Sequence, residues 1–236
     1  MAIETIEAAL RKYDKRYFSY KINDEKLNVF SRNLAYYINM THNAVSNNES
    51  EEHIKNIINS FLKTMYSLEK YEINTGKRID STIKVNGKIQ VMLEAKKPGN
   101  KNEMVSSQKI NVKALHELLF YYMCETRDVD GAKVKRKTDA EIRRGIITDS
   151  QIWMIIDANE LEKIVDGYLE KLFYKYENRQ LIYSNNNDKF YSDIKEYLST
   201  IDIESTLSYI FFDINEYQGG RKEKYLYKVF SKTFVY

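Results

Sequence analysis

The residues best suited to chemistry in this chain are Asp80 and the triplet Glu94-Ala95-Lys96. Two convergent carboxylates suit a hard divalent cation such as Mg²⁺, which takes oxygen ligands and keeps several waters. The backbone carbonyl of Ala95 would add a third oxygen. Such a cation polarises a phosphoryl oxygen and acidifies a bound water, and a neighbouring lysine orients that water or offsets charge building up at phosphorus. An acid–x–base triplet by itself says little. With 34 acidic and 37 basic residues among 236, roughly five arise by chance. Asp24-Glu25-Lys26 and Asp193-Ile194-Lys195 are of that kind, and both lie in helical patterns, where positions two apart diverge. Glu94 and Lys96 lie in an alternating stretch, where positions two apart share a face.

Positioning these groups requires a hairpin. Residues 79–85 and 89–96 alternate on either side of Asn86-Gly87, a strong turn signature. Lys97-Pro98-Gly99-Asn100 ends the second strand, because proline cannot continue a central ladder. The odd positions Ile79, Ile83, Ile89, Val91, Leu93 and Ala95 form the apolar set. They share one face only if paired residue numbers have an even sum. A two-residue Asn86-Gly87 loop pairs Val85 with Lys88 and breaks that rule. A three-residue loop with Gly87 in a G1 bulge, or an equivalent bulge, restores it. The three-residue solution pairs Lys84 with Lys88 and predicts Asp80 across from Met92 and diagonal to Glu94, roughly 7–8 Å away, on a polar face shared with Lys96.

The rest of the chain supplies helices and further strands. Leu27, Phe30, Leu34, Tyr37 and Ile38 form one apolar stripe. Ser50 reads as an N-cap, with Glu51 and Glu52 in the first turn of a helix whose stripe runs through Ile54, Ile57, Ile58, Phe61, Leu62 and Met65. Helices are expected over 106–125, 159–174, 188–199 and 221–236, and buried strands at 145–148 and 152–156 around Trp153. The charged stretch 126–140 reads as a loop. The expected architecture is α/β: a mixed sheet of four or five strands with helices on its faces. Three segments are expected, an N-terminal helical region (1–48), a core (49–175) and a C-terminal helical region (176–236).

Composition narrows the class. Hydrophobic residues make up 43% and charged residues 30%, a globular balance, and no apolar stretch approaches the ~18 residues of a membrane span. The opening residues carry no secretory pattern. One cysteine, Cys124, excludes an internal disulfide framework, and His42, His53 and His116 lack zinc-ligand spacing. A cytoplasmic location is the expectation. The net charge of +3 is too mild to argue for nucleic acid, so local basic clusters must do so. The densest is Lys133-Val134-Lys135-Arg136-Lys137. Such a cluster can neutralise backbone phosphates.

Asp80…Glu94-x-Lys96 resembles the PD-(D/E)xK nuclease motif, with Ile79 where the motif carries proline. The likeness extends further. Ser50 to Asn56, Ile73-Asn74-Thr75 with Ile79-Asp80, Glu94 to Met104, Asn111 to Glu125, and Ile146 to Asp149 with Trp153, Asp157-Ala158 and Glu162 resemble, in order, the N-terminal region of type IIG restriction enzymes. In that family, endonuclease and DNA methyltransferase share one chain. The resemblance covers about residues 50–236 and implies a restriction-endonuclease-like fold and Mg²⁺-dependent cleavage of double-stranded DNA. It also implies a downstream methyltransferase using S-adenosylmethionine. Neither a glycine-rich cofactor loop nor an Asn-Pro-Pro-aromatic motif occurs here, so this chain is expected to be the nuclease part alone. The residues implied for catalysis are Asp80, Glu94 and Lys96, assisted by Glu52 or its neighbour Glu51, with Asp80, Glu94 and the Ala95 carbonyl on the metal. Lys113, Gln108, Lys135, Arg136 and Lys137 are the expected DNA contacts, and cutting both strands suggests transient homodimerisation. The alternatives are a catalytically silent DNA-binding or scaffold domain and a resolvase or repair nuclease.

Overall fold

The computed structural model describes residues 2–13, 19–66, 70–74, 79–165, 167–178 and 187–233. Its centre is a seven-stranded mixed sheet in the order β1-β9-β8-β7-β4-β3-β2. The strands are β1 (Ala2–Glu4), β2 (Tyr71–Asn74), β3 (Ser81–Val85), β4 (Lys88–Ala95), β7 (Arg144–Thr148), β8 (Ile152–Asp157) and β9 (Ser208–Asp213). A separate antiparallel pair joins β5 (Arg127–Asp130) to β6 (Lys133–Arg136). The described helices are α1 (Ile6–Tyr13), α2 (Asp24–Ser46), α3 (Glu51–Met65), α4 (Lys113–Thr126), α5 (Ala158–Ile164), α6 (Gly167–Glu177), α7 (Asp188–Thr200), α8 (Ile203–Thr206) and α9 (Glu223–Lys228).

The α/β expectation holds, with seven strands in place of four or five. The added strands come partly from the chain ends. β1 and β9 pair in parallel and join the sheet through β8, so the segments expected to flank the core contribute to it. β9 (sequence SYIFFD) falls in the region expected to be helical. Its Ile210 and Phe212 point into one apolar core while Tyr209 faces the other, which is strand periodicity.

Both faces of the sheet are covered. α1, α2, α3 and α9 pack on one side with Val91, Leu93, Ala95, Ile146, Trp153 and Ile155. α4, α5, α6 and α7 pack on the other with Met92, Ile147, Met154 and Ile156. β4 is therefore buried on both faces from Gln90 to Ala95. The polar face expected to carry Glu94 and Lys96 is closed off from solvent, because α4 lies over it. Gly145 makes the close approach possible. A Cβ there would stand 2.9 Å from Leu118 Cδ2 and 3.0 Å from Leu161 Cδ1. β4 and β7 are parallel, so a crossover must connect them, and that crossover carries α4.

The hairpin keeps the even-sum register by the bulge route. Val85 pairs with Lys88 across a two-residue turn, with Asn86 and Gly87 at φ 52° and 75°. This is a type I′ turn and not the three-residue loop. Lys84 pairs with Ile89 and Ile83 with Val91, so Gln90 is the inserted residue. Beyond it Thr82 faces Met92 and Ser81 faces Leu93. Continued one step, the register sets Asp80 opposite Glu94 and not diagonal to it.

Other boundaries moved for local reasons. Ser50 accepts from His53 N–H, so the expected N-cap of α3 holds. The helix expected from 106 begins at Lys113, because Ile110 and Val112 reach the core from a turn-rich segment before it. The helix expected over 159–174 is two helices, α5 and α6. The loop expected at 126–140 contains the β5–β6 hairpin, whose Val129–Val134 pair packs against the main core. Thr75 and residues 234–236, part of the expectations above, lie outside the described residues.

Candidate functional site

α3 brings one row of side chains to the start of β3. Glu51, Lys55 and Asn59 are four apart and therefore stack on one helix face. Lys55 Nζ lies 2.7 Å from Asp80 Oδ1 and 3.2 Å from Glu51 Oε1. Ser81 donates to Asn59 Oδ1 at 2.5 Å, a buried contact that pins the helix to the strand. Asp80 Oδ2 accepts from Ala95 N–H at 2.8 Å, so the carboxylate bridges α3 and the end of β4. Burial would lower the Lys55 pKa, but Asp80 and then Glu51 outweigh it and raise it. Glu52, one residue round the helix, is exposed. Glu51 is the first-turn acid connected to Asp80.

The even face of β4 meets α4 at a second set of charges. Lys96 Nζ lies 2.7 Å from Glu94 Oε1 and 2.5 Å from Glu117 Oε2. The Glu117 contact is a charge pair outside hydrogen-bond geometry. The Glu94 and Lys96 side chains are 4% and 5% exposed, so these charges are removed from water. Lys96 N–H donates to Thr148 O, which fixes the residue at the β4–β7 seam. Burial opposes the Lys96 charge, but Glu94 and Glu117 outweigh it and hold the amine protonated. Glu94 moves the other way. Burial pushes its carboxyl well above the usual range, and the Asp80 and Glu117 charges push further against the relief from Lys96. Its Oε2 is enclosed and, like Glu117 Oε2, has no hydrogen bond of good geometry, while the neighbouring Glu117 carboxyl favours the protonated form.

Glu117 stands four residues after Lys113 on α4, a spacing that allows a plain surface ion pair. Lys113 Nζ is 4.0 Å from Glu117 and closer, 3.1 Å, to Glu103. The available signal was an acid inside the apolar stripe Ala114, Leu115, Leu118: a carboxylate on a buried helix face needs a cation from elsewhere. Lys55 had no comparable signal. His116, also on α4, shares a 2.7 Å hydrogen bond with Asn111 Oδ1, and burial followed by Lys195 lowers its pKa to about 4. It is neutral at pH 7 and ties α4 to the segment before it.

The charges form one connected set from Glu51 through Lys55, Asp80, Glu94, Lys96, Glu117 and Lys113 to Glu103. Five carboxylates face three ammonium groups, a formal surplus of two negative charges. Among the described residues no group of three His, Cys, Asp or Glu side chains converges on one metal position. The donors that could share a cation are two carboxylates, Asp80 and Glu94, with the Ala95 carbonyl. Two carboxylates with waters completing the shell suit Mg²⁺, and a divalent charge balances the surplus.

The expected DNA contacts are dispersed. Gln108 is exposed in the segment before α4, and Lys113 lines a separate cleft of about 400 Å³ with Lys109 and Lys195. Lys135, Arg136 and Lys137 lie in or beside β6, and each has an acidic partner: Asp130, Glu162 and Asp128. The basic run is thereby largely neutralised by its own neighbours.

A family model described as a domain of unknown function, DUF7149, matches residues 7–236, and the chain belongs to that family. No curated protein and no solved structure matches the chain.

Proposed function

We propose that this member of the DUF7149 family is a cytoplasmic Mg²⁺-dependent endonuclease domain, acting on phosphodiester bonds of double-stranded DNA as part of a type IIG restriction enzyme. The observation that carries the reading is the buried, unpartnered Oε2 of Glu94 beside Asp80 and Lys96, in a charge set with two negative charges to spare. Structural ion networks normally satisfy such atoms, and strained titratable groups mark functional sites.

Asp80, Glu94 and the Ala95 carbonyl would hold the cation. When bound, it would polarise the scissile phosphate and acidify a water. The chain's own contribution is positioning and charge. Lys96 is a fixed, protonated donor and not a base, because two carboxylates hold its proton. It can orient an attacking water and offset negative charge at phosphorus. Glu117 holds Lys96 at that position from α4. The Asp80–Ala95 hydrogen bond fixes the spacing between the two acids.

The test is plasmid cleavage with Mg²⁺. Wild type is expected to nick or linearise the plasmid, and Lys96→Ala to lose at least ~10²-fold in rate, the scale of losing one transition-state stabiliser. Calorimetric titration with Mn²⁺ should show binding that disappears in the Asp80→Asn/Glu94→Gln double variant. Retention of full binding by that variant would overturn the reading. A silent DNA-binding domain is the second reading, favoured by the engagement of both Asp80 oxygens within the protein. It predicts DNA binding with no metal-dependent cleavage.

A further inference from the structure

We propose that Lys55 is an internal cation that occupies Asp80 in the metal-free protein and sets how tightly a divalent ion can bind. The inference rests on the functional reading above and concerns regulation of that same site. Three observations lead to it. Lys55 Nζ lies 2.7 Å from Asp80 Oδ1, while the other oxygen takes the Ala95 N–H, so neither is idle. The Lys55 side chain is only 15% exposed, and its helix is anchored beside Asp80 by the Asn59–Ser81 bond, so the ammonium is held at the acid and not sweeping through solvent. Glu51 lies 3.2 Å from the same ammonium and is the more open of its two partners, with a side chain 35% exposed against 15% for Asp80.

Together these make a carrier with two resting places. On Asp80 the lysine offsets one buried carboxylate and lets Asp80 and Glu94 face each other without an ion. Turned toward Glu51, it frees Oδ1 while keeping a charge partner nearer solvent. An arriving divalent ion competes with one ammonium for Oδ1, and its affinity is reduced by the cost of moving the lysine to Glu51. The same lysine keeps the metal-free protein from carrying two uncompensated acids.

Isothermal calorimetry with Mn²⁺ on the whole chain tests this, with thermal unfolding in chelator as a second readout. Lys55→Met is expected to tighten Mn²⁺ binding about ten-fold, the effect of removing a competing contact of modest strength. It should also lower the melting temperature in chelator and enlarge the Mn²⁺-induced rise. Lys55→Arg should restore wild-type affinity. Lys113→Met removes one positive charge from the same set without touching Asp80, and is expected to change affinity about two-fold or less, which separates occupancy of Asp80 from a general field effect. Unchanged or weaker binding by Lys55→Met overturns the inference, as does an equal gain from Lys113→Met. If Lys55→Met folds poorly, Lys55→Gln is read in the same way. Wild-type binding that persists in Asp80→Asn/Glu94→Gln defeats the functional reading itself. Absence of Mn²⁺ binding in both wild type and Lys55→Met defeats both.

Discussion

Two charge clusters sit at opposite ends of α4, and they differ in how their charges balance. At its C-terminal end Arg127, 2% exposed in its side chain, donates to Glu162 and Glu170 at 2.5 and 2.9 Å. Arg136 and Tyr122 complete Glu162. Two arginines meet two glutamates there. Burial would raise the Glu162 carboxyl, yet Arg127 and Tyr122 outweigh it and lower the pKa. At the N-terminal end Glu94 is raised, an oxygen is left without a partner, and acids outnumber bases. The first cluster is an ion network that fastens a hairpin. The second holds a buried carboxyl, Glu94, whose neighbours oppose its charge more than they offset it.

The largest expected effect comes from breaking the second cluster. Lys96→Met leaves Glu94 and Glu117 buried without their cation and is expected to cost about 3–5 kcal/mol in metal-free urea denaturation at pH 7. Arg127→Met in the first cluster should cost less, about 1–3 kcal/mol, because Glu162 and Glu170 are about a third exposed and can hydrate. It should leave Mn²⁺ affinity unchanged; a change would mean that the two clusters are not independent.

A smaller effect of opposite sign sharpens the contrast. Glu94 binds its proton more tightly folded than unfolded, so above the ordinary value of 4.5 the unfolded chain releases a proton that the folded chain keeps. Metal-free stability should therefore fall as pH rises through the window above 4.5. Glu94→Gln should remove that slope and make the metal-free protein more stable at pH 7 than wild type. Denaturation curves between pH 4.5 and 8 decide this. The smallest effect is Lys135→Gln: its partner Asp130 is 68% exposed, and the change should stay within about 0.5 kcal/mol.

Much of the site was legible because strand periodicity is short-range. Asp80, Glu94 and Lys96 followed from an apolar alternation and a turn, and the even-sum register held although a Gln90 bulge replaced the three-residue loop. The bulge could not be read, since a type I′ turn with one inserted residue and a three-residue loop satisfy the same parity. Gly145 gave no warning of the close α4 approach it permits, because a glycine's neighbours are set by the fold.

The sequence by itself determined which residues of the hairpin share a face, since that depends only on the backbone repeat. Only the tertiary structure decided that Glu117 reaches Lys96, that Lys55 and not Glu52 meets Asp80, and that the basic run of β6 is met by its own acids. Those pairings join residues 20 or more positions apart in the first two cases, and a charged side chain takes whichever partner the packed elements bring within a few ångströms.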